Sequence, residues 1–106
     1  MKTIHSYEQW EEVVTQNERV LLFVKTNNCS VCEGLLPQVE PLQTEYPLPF
    51  YIVNAAEVPA MAGQLSLFSA PVVLLFDNGK EYARFARFVP MEELKHRLDQ
   101  LVGRGE

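Results

Sequence analysis

Residues 27–34 read Asn27-Asn28-Cys29-Ser30-Val31-Cys32-Glu33-Gly34, and they contain both cysteines of the chain. What flanks them decides how they are read. Upstream, Val20–Lys25 (V-L-L-F-V-K) is a continuous apolar run, the pattern of a strand buried on both faces. Downstream, Val31, Leu35, Val39, Leu42 and Tyr46 recur at spacings of three and four, which predicts a long helix with one inward face. Pro37 and Pro41 interrupt that stripe, so the helix is expected to bend near Pro37. The pair therefore sits where a buried strand ends and a helix begins.

That position has chemical consequences. Residues three apart on a helical turn have Cβ atoms about 5–6 Å apart, and a disulfide needs Cα atoms roughly 4.4–6.8 Å apart. A C-x-x-C on a first turn can close or open its disulfide with little backbone movement. Free N–H groups and a partial positive charge at the helix start stabilise a thiolate. Cys29, the outer of the two, is thus the expected nucleophile, and Cys32 the resolving thiol. Strand ends of this type are also where open α/β sheets carry their sites. Two other readings stand beside this one. A structural zinc site needs four ligands, and the only histidines, His5 and His96, lie near opposite ends of the chain without ligand spacing. Two packed, inert cysteines are the plainer alternative, since free cysteine is often buried.

Working outward, Ser6–Gln9 forms a capping box, and Tyr7, Trp10, Val13 and Val14 follow it, predicting a first helix over 7–17. A short strand over 2–5 is compatible with what precedes it. Residues 49–54 read as a second buried strand, and Val58, Met61, Ala62 and Leu65 return to helical spacing. After Ala70-Pro71 the run V-V-L-L-F reads as a strand. Asp77-Asn78-Gly79-Lys80 is a hairpin turn, because Asn-Gly supplies the positive φ values such a turn requires. Residues 81–88 form the partner strand. Pro90 suits a first helical position, and Leu94, Leu98, Leu101 and Val102 line a last helix that stops near Gly103. The order α, β, α, β, α, β, β, α predicts an α/β fold: a mixed four- to five-stranded sheet flanked by helices on both faces. A βαβ unit with a right-handed crossover forms its first half.

The 106 residues, 47% of them hydrophobic, suit a single domain over 1–106. The formal net charge of −5 and the lack of a basic stripe argue against nucleic acid and anionic membrane as partners. No apolar run is long enough to span a bilayer, and the polar, acidic N-terminus lacks a signal-peptide pattern. A cytoplasmic monomer is the expectation. Trp10 reads as a packing residue and Met61 as core or groove edge, Glu8, Glu11 and Glu12 as a solvated helix face, and Glu92 and Glu93 as first-turn residues of the last helix, where negative charge is favourable.

Taken together, these features resemble the thioredoxin family over essentially the whole chain. Cys29-Ser30-Val31-Cys32 falls where that family has its C-x-x-C, and Pro37 where it has a helix-kinking proline. Ala70-Pro71 matches the family's cis-proline site, and the D-N-G-K turn its following hairpin. The resemblance implies a thioredoxin-like fold and thiol–disulfide exchange. Cys29 attacks a substrate disulfide and Cys32 resolves the mixed disulfide. Ser30, Val31 and Pro37 would support the site, and the backbone at Ala70 and Pro71 would pair with an extended substrate segment. Neither metal nor organic cofactor is implied beyond the Cys29–Cys32 disulfide. The implied partners are disulfide-containing proteins and an electron donor such as a thioredoxin reductase. A specialised redox partner of one protein, and a non-catalytic binding module using the groove at Pro71, are the alternatives.

The chain also departs from the family pattern. Asn28 stands where a tryptophan is common, and Ser30-Val31 replaces Gly-Pro. Phe23 aligns with the family's buried aspartate, and the lysine that partners it is missing near Tyr51 or Ile52. Glu33 follows Cys32 where a basic residue is frequent, with Lys25 at the strand end as its partial offset. By that resemblance, Phe23 would lie beneath Cys32, desolvate it and offer no proton acceptor. Cys29 is accordingly expected to be less acidic than a helix start alone would make it. Arg87 or Phe88 aligns near a small residue bordering the family's substrate groove.

Overall fold

A computed structural model describes residues 1–104. Five strands form one mixed sheet in the order β1-β3-β2-β4-β5. They are β1 (Lys2–Thr3), β2 (Arg19–Lys25), β3 (Phe50–Asn54), β4 (Val72–Asp77) and β5 (Lys80–Ala86). β1 and β2 both run parallel to β3, while β4 is antiparallel to β2 and β5 to β4. The helices are α1 (Tyr7–Gln16), α2 (Ser30–Val39), α3 (Pro59–Leu65) and α4 (Met91–Leu101).

Strand alternation sorts the core into two halves. Leu21 and Phe23 of β2 point to one face, joining Val73 and Leu75 of β4 beneath α2 and α4. Val20, Leu22 and Val24 point to the other, where Trp10, Val13 and Met61 of α1 and α3 cover them. All five residues from Val20 to Val24 are fully buried, as a strand between two helical layers must be. Trp10 packs edge-on against Phe76, with ring centroids 4.9 Å apart, and Met61 is fully buried, so both are core residues. Glu8, Glu11, Glu12, Glu92 and Glu93 are all exposed.

Local chemistry sets the element ends. The Ser6 side chain caps α1 by accepting from the Gln9 N–H at 3.1 Å. Asn78 and Gly79 have φ of 52° and 81°, the two positive values the hairpin needs. The long helix expected from residue 31 to Tyr46 is divided. α2 ends at Val39, and Glu40–Thr44 continues as a 3-10 turn with Pro41 near its start. Pro41 has no N–H to give the carbonyl of Pro37, so the α-helical ladder cannot run through it. The apolar periodicity continued because Leu42 and Tyr46 still face the core. Pro90 is the cap before α4 rather than its first residue. The first β-strand is shorter than the 2–5 expected, and β5 closes at Ala86 instead of 88.

Candidate active site

The cysteines lie at the N-terminal end of α2, beyond the last residue of β2. Asn27 and Asn28 make the connection. Asn54 Nδ2 donates to Asn27 Oδ1 at 2.8 Å, tying the connection to the end of β3. Asn28 has φ of 54°, in the left-handed region that asparagine tolerates better than most residues. This backbone role went unread in the sequence, where Asn28 registered only as a missing aromatic. The Asn-Asn dipeptide was the available signal, since asparagine favours such turns.

Cys29 is the N-cap of α2, and its Sγ accepts from the Cys32 N–H at 3.2 Å. Cys29 and Cys32 are joined as a disulfide with their Cα atoms 5.2 Å apart. Cys29 is partly exposed, whereas Cys32 is only 3% exposed and packs with Phe23 and Leu35. Ser30 and Val31 project outward from the first turn, Val31 at 60% exposure. Pro37 lies inside α2 on its exposed side, about two helical turns beyond the disulfide.

Two further segments converge on this end of the sheet. Val72 of β4 pairs with Val24 of β2, so Pro71 arrives beside the strand end that feeds the cysteine loop. The Ala70–Pro71 peptide bond is cis. Ala70 and Cys29 pack against the same core cluster as Cys32. The segment after β5 supplies the third wall, with Arg87 donating its backbone N–H to the Pro71 carbonyl at 2.7 Å. Cys29, Ser30, Val31, Cys32, Ala70 and Pro71 are thus gathered at one end of the sheet, and Pro37 stands apart from it.

Apolar grooves flank this cluster. One, of about 570 Å³, runs between Val31 and Leu35 of α2 and Arg87–Met91. A second, of about 310 Å³, lies between Thr26, Ala55 and the Leu67–Ala70 segment. Phe88 beside the first and Phe68 beside the second are 77% and 93% exposed. Of Arg87 and Phe88, it is Arg87 that has a left-handed backbone, φ 69°, where a small residue would fit without strain. Phe68 had no sequence signal, because a single aromatic between Leu67 and Ser69 looks like one more core residue.

Comparison with known proteins agrees with this geometry. The family model described as Thioredoxin matches residues 2–100. "Thioredoxin-like protein YdfQ" of Bacillus subtilis is 33% identical over 102 residues, covering 95% of this chain and 91% of that one. "Thioredoxin-1" of Saccharomyces cerevisiae is 27% identical over 77 residues, covering 72% and 75% of the two chains. Among solved structures, Fasciola hepatica thioredoxin superposes with a TM-score of 0.87 at 20% identity, over 95% of this chain and 99% of its own. With its C-x-x-C closed as a disulfide at the head of a helix, the chain belongs to the thioredoxin family and is a thiol–disulfide oxidoreductase.

Proposed function

We propose that the protein reduces disulfides in other proteins, with Cys29 as the attacking thiol and Cys32 as the resolving one. The observation that carries this reading is the unequal burial of the two sulfurs at one helix start. A partly exposed Cys29 is within reach of a substrate disulfide, and the buried Cys32 is within reach of Cys29 alone. Helix-start N–H groups, including that of Cys32, stabilise the Cys29 thiolate. It attacks one substrate sulfur, and the other leaves as a thiolate. Cys32 then attacks Cys29 Sγ, the mixed disulfide breaks, and the oxidised pair remains. An electron donor of the thioredoxin reductase type, or another dithiol, returns two electrons to the pair. No metal or organic cofactor takes part, Ser30 and Val31 shape the active-site turn, and the protein works as a cytoplasmic monomer. The Ala70–Pro71 backbone receives the extended substrate segment.

The reading is tested by insulin reduction with dithiothreitol as donor. Purified protein should accelerate the reaction, and Cys29→Ser should abolish the acceleration. A rate no higher than background ends the case for a general reductase. A second reading, service to one dedicated partner, is favoured by the exposed Phe68, Phe88 and Val31 around the site. Trapping with Cys32→Ser separates them: one dominant mixed disulfide supports the dedicated partner, and a broad set supports the general reductase.

A further inference from the structure

Cys32 is buried, and burial in apolar surroundings disfavours the thiolate it must form. Phe23 sits beneath it in the core and cannot accept a proton or supply charge. A cavity of about 30 Å³ nevertheless lies against Cys32, lined by Phe23, Lys25, Cys32, Glu33 and Leu36. That is space for about one water molecule. Alternation along β2 places Lys25 on the same sheet face as Phe23, the face that α2 covers. Lys25 is partly buried and makes no ion pair among the described residues.

We propose that Lys25 is the positive charge that stabilises the Cys32 thiolate in the resolving step, acting across this cavity. Glu33, on the opposite wall, works against it. The inference rests on the reading that Cys32 is the resolving thiol. The charges facing Cys32 are few. β2 contributes Lys25 and α2 contributes Glu33, while the Cys29 sulfur is neutral in the mixed disulfide. β3 presents the neutral Ile52 and Asn54 beside Phe23 and Lys25, and β4 presents Val73. Arg87, after β5, lies in the groove with Val31 and Gly34 and not in the Cys32 cavity.

In the step itself, the Cys32 S–H gives its proton to water in the cavity. The sulfur's electron pair forms the bond to Cys29 Sγ. The bond between Cys29 and the substrate sulfur breaks, and that sulfur leaves with the electron pair and takes a proton from solvent. Two electrons have then passed from the dithiol to the substrate disulfide. The Lys25 ammonium carries no proton in this sequence. It offsets the cost of negative charge on a buried sulfur, as an opposite charge within ~4–6 Å does.

The test titrates Cys32 by ultraviolet thiolate absorbance in reduced protein carrying Cys29→Ser. Adding Lys25→Met should raise the apparent Cys32 pKa by about one unit, a tenfold loss of thiolate at fixed pH below it. Glu33→Gln should lower the pKa, and Lys25→Arg should retain the original value. No shift with Lys25→Met overturns the proposal. So do shifts of the same sign from Lys25→Met and Glu33→Gln, which would mark a packing effect, not a charge effect. The resolving role is checked separately with an aromatic disulfide that releases one coloured thiolate on attack and a second on resolution. Cys32→Ser should release only the first. If it releases both at the native rate, the resolving role of Cys32 fails, whatever the titration shows.

Discussion

Arg87 occupies a left-handed backbone position, with φ of 69°. An L side chain there crowds the following carbonyl, at a cost of roughly 1–2 kcal/mol. Asn28 and Asn78, at 54° and 52°, carry less of that cost because their short polar side chains suit the conformation. The position is nonetheless held, because the Arg87 N–H is bonded to the Pro71 carbonyl. Arg87→Gly should therefore leave stability unchanged or raise it by up to about 1 kcal/mol, the relief of strain being partly offset by glycine's chain entropy. Urea unfolding measures this, and a loss beyond 1 kcal/mol would show that the guanidinium holds the loop. The same variant removes the one charge that lines the groove beside Val31 among the described residues. Its KM for acidic and basic peptide disulfides should then converge, if that charge selects among substrates. None of this was visible from the letters A-R-F, since the sign of φ is imposed by the closure of β5 against β4.

At the scale of elements, the segment carrying Phe68 and Pro71 is held from the far strand. α3 ends at Leu65, and Ser66 takes a left-handed turn with φ of 55°. The carbonyls left over at that end are satisfied by Arg84 of β5, which donates to Leu65 O at 2.7 Å and Ser66 O at 2.8 Å. Glu81 fixes the guanidinium with two bonds of 2.8 and 2.9 Å. The pairing raises the Arg84 pKa through that hydrogen bonding, so the clamp stays charged. Arg84→Ala should cost about 1 kcal/mol in this largely exposed setting. Native-state hydrogen exchange should report it as roughly fivefold faster exchange at Leu67, whose N–H is bonded to the Ala62 carbonyl. Unchanged exchange would mean that the Leu67–Ala70 segment is held by its own packing. Helix and strand identity at this scale followed from periodicity, and the Asn-Gly hairpin from turn chemistry. The α2 boundary did not, because Leu42 and Tyr46 keep their core-facing spacing through the change from α-helix to 3-10 turn.

Across the whole molecule, the Tyr46 hydroxyl joins the segment after α2 to α4. The Tyr46 hydroxyl donates to Asp99 Oδ1 at 2.8 Å, and the Arg104 guanidinium lies 5.0 Å from the Tyr46 ring centroid. Burial, and then the hydrogen bond and negative charge of Asp99, push the Tyr46 pKa up from 10.0 to about 12. The folded state therefore holds the phenolic proton more tightly than the unfolded chain does. Stability from this contact is complete below pH ~10 and falls as pH rises towards ~12, by at most roughly 2–3 kcal/mol. Tyr46→Phe should lose about 1 kcal/mol at neutral pH. Its stability should also decline less steeply than the native protein's above pH ~10. Parallel alkaline profiles for the two would show that Asp99 does not hold the proton.

The sequence by itself determined the layered α/β plan, the chemistry of the cysteine pair and most element positions. Each of these depends on residues close together in the chain: period-two or period-3.6 burial, a capping box, an Asn-Gly turn, a C-x-x-C spaced for one helical turn. Only the tertiary structure decided what surrounds the pair. The groove walls set Val31 against Phe88 and Thr26 against Phe68, pairs that stand far apart in the chain and meet through strand pairing. Lys25 and Glu33 are sequence neighbours of the cysteines, but that both open onto the Cys32 cavity follows from β2 register and the seating of α2. Contacts of this kind arise where separate elements close on one another, and no local pattern of residue types records that closure.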